Sequence, residues 1–296
     1  VVPSEHTISI VIATRNRSAQ LATALDRLLC LDEAEEIIVL DNHSSDDTVR
    51  VARSFPQVRV IELERNFGAG ARTLGVRIAH TPYVAFSDDD SWWQPGSLSR
   101  ASELFASYPR LGLIAARVLV GQDERLDPIA AEMRMSPLEP KRPAPGRPVL
   151  GFLACGAIVR RTAFLDVSGF EERFGIGGEE QLLALDLVAA DWDVTYIDEL
   201  VALHHPQPSG DRADRKKIMI RNELWSSWLR RPAPVALVRT LKVLRQAPRE
   251  SASQAALFEA LKGLPWILER RKVLPKAIER NLRTLELTLK GAESSN

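Results

Sequence analysis

The chain has 296 residues, 45% of them hydrophobic and 26% charged, enough for one large buried core or a core with an appendage. Its 39 lysines and arginines balance 39 aspartates and glutamates, and a formal net charge of zero gives no support to wholesale nucleic-acid binding. Cys30 and Cys155 alone exclude a disulfide scaffold or a cysteine-built zinc site, and with no signal peptide and no apolar run of roughly 18 residues the expectation is a cytoplasmic protein.

Apolar runs and amphipathic spacings alternate from the N-terminus. Residues 8–13 predict a strand, 19–29 a helix with Leu21, Leu25, Leu28 and Leu29 on one face, and 36–40 a second strand. A helix over 46–54, a strand over 58–62, a helix over 69–79 and a strand over 83–87 continue the pattern. It predicts an α/β fold whose mixed, mostly parallel sheet is covered by helices on both faces. Polar residues stand at the carboxyl ends of the strands, namely Thr14-Arg15-Asn16, Asp41-Asn42 and Asp88-Asp89-Asp90. Open α/β sheets bind ligands along that edge.

A helix over 97–107 and a strand near 113–120 follow. Six prolines between 121 and 148 exclude a central strand or a long helix there and predict an excursion over the surface. Then come a strand over 152–159, helices over 161–167 and 179–190, a short strand over 194–197, and a run over 200–203 leading into His204-His205-Pro206. From 211 onward the pattern is helical, interrupted by Pro232, Pro234, Pro248, Pro265 and Pro275. A boundary near Pro232 divides a main unit, 1–231, from a C-terminal helical extension, 232–296.

The densest chemistry is Ser87-Asp88-Asp89-Asp90-Ser91-Trp92-Trp93, directly after a buried strand. Three adjacent carboxylates at a strand end repel one another unless a cation or a hydrogen-bonding ligand sits among them, and a divalent metal carrying a phosphate group is the simplest remedy. The plain alternative is a solvated acidic turn capping the next helix.

Four motifs in order carry a more specific signal: Ser9-Ile10-Val11-Ile12-Ala13-Thr14-Arg15-Asn16-Arg17; Ile37-Ile38-Val39-Leu40-Asp41-Asn42-His43-Ser44-Ser45-Asp46; Arg65-Asn66-Phe67-Gly68 with Ala71-Arg72; and Asp88-Asp89-Asp90 with Trp93 and Pro95. Together they resemble the family 2 glycosyltransferases of the GT-A fold over roughly residues 8–228. The resemblance implies an inverting enzyme that moves a sugar from a nucleotide-diphospho-sugar to an acceptor hydroxyl, in cell-surface polysaccharide or glycolipid synthesis. It puts Thr14, Arg15, Asn16 and Asp41 at the nucleobase. A carboxylate accepting a ring N–H suits uracil or thymine, hence a UDP- or dTDP-linked donor. Arg72 then faces the nucleotide, Asp88 lies towards the ribose with Asp89 pointing away from the ion, and Asp90 holds Mn2+ or Mg2+ with His204 or His205 as a further ligand. Gly177-Gly178-Glu179-Glu180 resembles the family's acidic pair at a helix start. Glu180 is favoured as general base, and Glu179 is able to substitute for it. Trp93, Gly156, Arg221 and Trp225 fall beside the donor or acceptor sugar.

Each assignment has a plainer counterpart. Asp41 can be a turn residue, the glutamate pair a complement to the helix dipole, a lone histidine structural, and tryptophans at helical spacing core packing. The implied acceptor is a saccharide or a lipid-linked sugar. Basic residues in Arg212, Arg215, Lys216, Lys217, Arg221, Arg230 and Arg231, with Arg270-Arg271-Lys272, suggest peripheral contact at the inner face of a membrane, and a homodimer is a further expectation. Three rivals stand beside this reading. A sugar nucleotidyltransferase needs a glycine-rich loop after strand one, and Thr14-Arg15-Asn16-Arg17 has no glycine. A dinucleotide oxidoreductase needs its glycines after the first strand, whereas Gly68-Ala69-Gly70 follows the third. A silent sugar- or nucleotide-binding scaffold would tolerate loss of Asp90 or Glu180, and both are present.

Overall fold

The computed structural model of the chain describes residues 7–206 and 212–293. Its first part contains β1 (Ile8–Thr14), α1 (Ser18–Leu29), β2 (Glu36–Asp41), α2 (Thr48–Arg53), β3 (Val58–Glu62), α3 (Ala71–Ile78) and β4 (Tyr83–Ser87). The next contains β5 (Ser91–Trp93), α4 (Ser97–Ser107), β6 (Leu111–Val120), β7 (Arg125–Leu126), α5 (Pro128–Arg134), β8 (Arg147–Pro148), β9 (Ala157–Arg160), α6 (Arg161–Asp166), α7 (Glu179–Ala189) and β10 (Asp193–His204). Five α-helices follow among the described residues: α8 (Arg212–Arg230), α9 (Ala233–Gln246), α10 (Ser251–Lys262), α11 (Leu264–Arg270) and α12 (Lys276–Glu293).

The strands form one mixed sheet in the order β3-β2-β1-β4-β9-β6-β10-β5. β1 runs parallel to β2 on one side and β4 on the other, and β2 is parallel to β3. The chain thus leaves β1 in one direction and returns on its other flank, which opens a crevice at the carboxyl ends of β1, β2 and β4. β9 inserts antiparallel between β4 and β6, while β6 and β10 are parallel. The apolar runs of β1, β2 and β4 are buried on both faces, as strands covered by helices on each side must be. Gly75 lets α3 settle onto this sheet, because a Cβ there would lie 2.5 Å from Val11 Cγ1 and 2.9 Å from Leu40 Cδ2.

Several local expectations change in three dimensions. Strand β5 is too short for any periodic signal; it exists because it pairs antiparallel with the end of β10, Ser91 opposite His204 and Trp93 opposite Ala202. The two short runs at 194–197 and 200–203 are one strand, β10, with a register shift between Ile197 and Val201. The strand expected over 152–159 shrinks to β9, because residues 154–156 form a 3-10 turn. The proline-rich segment holds no central strand or long helix, yet it is packed rather than loose. It contributes α5 and the two-residue pairs of β7 with β6 and β8 with β10, and buries Ala130, Met133 and Leu138.

The helices beyond 232 share apolar clusters with residues before it. Trp266 and Ile267 of α11 pack with Phe174, Leu182, Trp225 and Leu229, and Leu274, Ile278 and Leu282 pack with Leu138, Leu150 and Leu185. Beside them lies a buried ion pair: Arg231 donates to Glu279 at 2.6 and 3.0 Å and to Glu286 at 2.7 Å, with its side chain only 5% exposed. Arg231→Met leaves Glu279 buried with Arg283 as its remaining cation, and denaturant unfolding should show a loss of about 3 kcal/mol.

Candidate active site

The crevice at the sheet edge is built by turns that fasten one strand end to the next. Thr14, buried at the end of β1, donates its hydroxyl to Asp89 at 2.8 Å. Asn16 follows in the left-handed region (φ 54°) and accepts the Ser45 N–H at 2.7 Å, which joins the β1 turn to the β2 turn. Arg15 is exposed. Asp41 is buried at the end of β2, where its carboxylate accepts the Ser44 N–H at 2.9 Å and the Ser44 hydroxyl. It therefore organises a turn, and its oxygens retain capacity for a further donor. Asn42 donates to the Gly68 carbonyl at 3.1 Å and accepts the Phe67 N–H at 3.0 Å, so the Asn66-Phe67-Gly68 segment is tied to β2. Gly68 has φ 56°, and a Cβ on it would fall 2.5 Å from the Gly175 oxygen. That close approach, with the Ala69 N–H donating to Gly175 at 2.8 Å, rests the loop before α7 against the crevice.

The acidic run is divided among three sets of partners. Asp88 pairs with Arg72, which reaches it from α3. Burial alone would weaken the Arg72 charge, but Asp88, Glu179 and Glu180 outweigh it and hold its pKa above the ordinary value. Asp89 turns back towards Thr14, and burial with Asp90 and Asp88 alongside lifts it to about 6. Asp90 lies 3.7 Å from Arg17 and 3.3 Å from His204 Nε2. The pairing of β5 with β10 explains this last contact, since it brings Ser91 opposite His204. The two histidines part company here. His205 packs its ring against Trp92 with centroids 4.7 Å apart and gives its backbone N–H to the Asp90 carbonyl, whereas His204 faces the carboxylates.

Asp88, Cys155 and His204 offer ligand atoms within 4.8 Å of one another, with Asp90 touching the same imidazole. Carboxylate oxygens with one imidazole nitrogen suit Mn2+ or Mg2+ better than a soft ion. Cys155 does not turn this into a thiolate site: burial, then Asp88 and Glu180, push its thiol well above the ordinary value, so the neutral form is held. The donor set thus fits a hard divalent cation. The resemblance put the ion on Asp90 with His204 or His205; in the structure Asp88 joins Asp90 beside His204, while His205 packs on Trp92.

The acidic pair opens α7. Gly177 and Gly178, both with positive φ, turn the chain sharply into the helix. Glu180 accepts the Ala154 N–H at 3.1 Å, and burial followed by the charge of Glu179 pushes it up to about 8. Glu179 is only 4% exposed; burial raises its pKa as well, and its Oε2, like Arg72 Nε, has no partner among the described residues. Next to this helix start lies a cleft of about 490 Å³ lined by Gly177, Gly178, Gln181, Met219, Asn222 and Ser226 among others.

Other expected residues sit elsewhere. Trp93 is 1% exposed within the main core, and Trp225 is 7% exposed against Phe174 and Trp266 with its indole N–H bonded to Ala260. Neither ring is presented to a sugar, and both follow the plainer core-packing expectation. Gly156 is a packing glycine, because a Cβ would lie 2.5 Å from Val118 Cγ2. Arg221 lies over the Trp225 ring, pairs with Glu259 at 3.3 Å and donates to the Phe174 carbonyl at 3.0 Å. The basic stripe of α8 and the residue after it is largely neutralised from within: Lys216 pairs with Glu250, Lys217 with Glu259, Arg230 with Asp186 and Arg231 with Glu279. Asp211 and the Arg212 side chain lie outside the described residues.

Two residues that sequence reasoning passed over hold the site together. Arg17 was visible only as the end of the first motif, and no local signal marks its contact with Asp90. Asn222, fully buried, donates to the carbonyls of Phe174 at 2.9 Å and Gly177 at 2.6 Å, clamping the loop that feeds α7. Asn222→Ala leaves those carbonyls without their donor. Initial-rate kinetics should show kcat reduced about tenfold with the donor KM little changed, as for a residue that orients the acidic pair without touching the nucleotide.

With this geometry in view, the comparisons define the class. The chain belongs to glycosyl transferase family 2, whose profile matches residues 9–168. It is 26% identical over 240 residues to the N-acetylglucosaminyl-diphospho-decaprenol L-rhamnosyltransferase of Mycobacterium tuberculosis, covering 69% of this chain and 78% of that one. It is 33% identical over 98 residues to the succinoglycan biosynthesis protein ExoU of Rhizobium meliloti, covering 31% of this chain and only 29% of ExoU. Among solved structures, GalNAc-T7 with UDP, GalNAc and Mn2+ superposes with a TM-score of 0.60 at 14% identity, covering 76% of this chain and 48% of that one, and shares the GT-A fold.

Proposed function

We propose that the protein is an inverting, metal-dependent transferase that moves a sugar from a uridine- or thymidine-diphospho-sugar to a hydroxyl of a lipid-linked saccharide. The observation that carries this reading is a charge imbalance. Five carboxylates, those of Asp88, Asp89, Asp90, Glu179 and Glu180, converge on Arg72, Arg17 and His204, and three of the five are held above the ordinary carboxylate range. A divalent cation together with a diphosphate relieves that repulsion, which a purely structural acidic turn would not require.

Asp88, Asp90 and His204 would hold the ion, which neutralises charge on the departing diphosphate when bound. Asp41 reads the base through its free acceptor capacity, with Thr14, Arg15 and Asn16 around it, and Arg72 faces the diphosphate. Glu180, the more accessible of the pair, takes the proton from the acceptor hydroxyl as that oxygen attacks the anomeric carbon opposite the nucleotide. The new glycosidic bond forms as the sugar–phosphate bond breaks, the nucleoside diphosphate leaves with the electron pair, and the proton stays on Glu180. Glu179 stays buried and, with Arg72, supports the pair electrostatically. The acceptor enters by the cleft beside α7, and the N-acetylglucosaminyl-diphospho-decaprenol named for the rhamnosyltransferase supports an acceptor carried on a lipid diphosphate. The catalytic unit in this reading is 1–231, with 232–296 as a bracing extension, working at the inner face of a membrane.

The test is product stereochemistry. Purified protein, Mn2+, a panel of UDP- and dTDP-sugars and a polyprenyl-diphosphate-linked N-acetylglucosamine should give one glycoside, with the anomeric configuration opposite to the donor's by NMR. Retention of configuration would overturn the mechanism.

A further inference from the structure

We infer that the outer face of the α9–α10 hairpin is a membrane-docking surface for an anionic bilayer. Six of the fourteen exposed large hydrophobic residues among the described residues fall on α9 and α10. On α9 these are Leu237, Val238, Leu241 and Leu244, from 48 to 67% exposed, opposite the buried Ala236 and Val243. On α10 they are Phe258 and Leu261, 62 and 66% exposed, opposite the buried Ser253 and Ala256. Each helix therefore turns large apolar side chains outward, away from the small residues it buries. Water-facing stripes of this kind mark an interaction surface rather than scattered exposure.

Charge selects the occupant. Residues 232–249 contain Arg239, Lys242, Arg245 and Arg249 and no aspartate or glutamate. Lys242, Arg245 and Arg249 are exposed, and Lys262, also exposed, lies over the Phe258 ring at 4.5 Å. A cationic rim around an apolar stripe matches a bilayer interface carrying anionic headgroups, where apolar side chains enter the acyl boundary and long basic side chains reach the phosphates. The sequence had pointed to the basic residues of 212–231 with Arg270-Arg271-Lys272 for this role, but Lys216, Lys217, Arg230 and Arg231 are held in ion pairs with Glu250, Glu259, Asp186 and Glu279. The hairpin packs on α8, whose other contacts hold the loop before α7. Docking through it would bring the cleft beside α7 to a lipid-borne acceptor. The inference extends the lipid-linked-acceptor reading above, and its test uses neither sugar nor nucleotide, so the two fail separately.

Co-sedimentation of the full chain with vesicles of phosphatidylcholine alone or with added phosphatidylglycerol reads the surface directly. The wild type should partition onto the anionic vesicles and only weakly onto the neutral ones, with salt reducing the binding. A Val238→Glu/Leu241→Glu variant should lose at least about tenfold in partition while its circular dichroism spectrum and thermal unfolding stay unchanged. Two outcomes would overturn the proposal. One is wild-type binding indifferent to these substitutions. The other is a wild type that ignores vesicles and sediments as a dimer which the same substitutions dissociate, assigning the face to a second copy of this chain.

Discussion

Asp90→Ala should lower Mn2+-dependent affinity for the nucleotide diphosphate by about a hundredfold or more while the protein remains folded. Asp90 sits where β5 crosses the end of β10, between Arg17 and His204, and its loss removes a hard oxygen donor from the cation site. It also leaves two basic groups facing where the positive ion binds, which compounds the effect. The backbone is held independently, because the Asp90 carbonyl still accepts the His205 N–H at 2.8 Å and β5 still pairs with β10. Nucleotide affinity equal to wild type in the presence of Mn2+ would take Asp90 out of the site and leave Asp88 with His204 as the ion's ligands.

Glu180→Gln should separate binding from chemistry. The amide keeps the size and an acceptor for the Ala154 N–H but cannot take a proton, so donor binding persists and turnover falls by about a hundredfold or more. Wild-type turnover should rise with pH as Glu180 ionises towards about 8, and the variant should lack that limb. Stability moves the other way. The folded-state pKa lies above the ordinary value of 4.5, so between those limits the folded state binds more protons and stability falls as pH rises, levelling off above about 8. Glutamine removes the buried charge. At pH 9 the variant should therefore be more stable by about 1–2 kcal/mol, a Tm rise of roughly 2–3 °C, with little difference near pH 5. Wild-type turnover in this variant would move the base to Glu179.

The strands and helices up to β4 were legible because their periodicity is local: continuous apolar runs for strands covered on both faces, and 3.6-residue spacing for α1 and α3. The same locality placed Thr14, Asp41 and Asp88 at strand ends, which is where the crevice lies. What escaped is set by partners far away in the chain. Ser91-Trp92-Trp93 is a strand only because β10 offers it an edge, and that one pairing decides between His204 and His205 and buries Trp93. Trp225 and Arg221 carry the same letters whether they face a sugar or brace a loop. The helices beyond 232, by packing Trp266 and Glu259 against them, decide for the brace. The cations of 216–231 could not be seen from composition to be paired, because their partners lie on α7, α10 and α12 or in the turn before α10.

Calorimetric titration of the protein with UDP, dTDP and GDP, each in Mn2+ and in chelator, tests the central claim most directly. UDP or dTDP should bind in the presence of Mn2+, with binding lost on chelation and weak for GDP. Binding of none of them, or binding indifferent to the metal, would contradict it and favour a silent scaffold on the same fold.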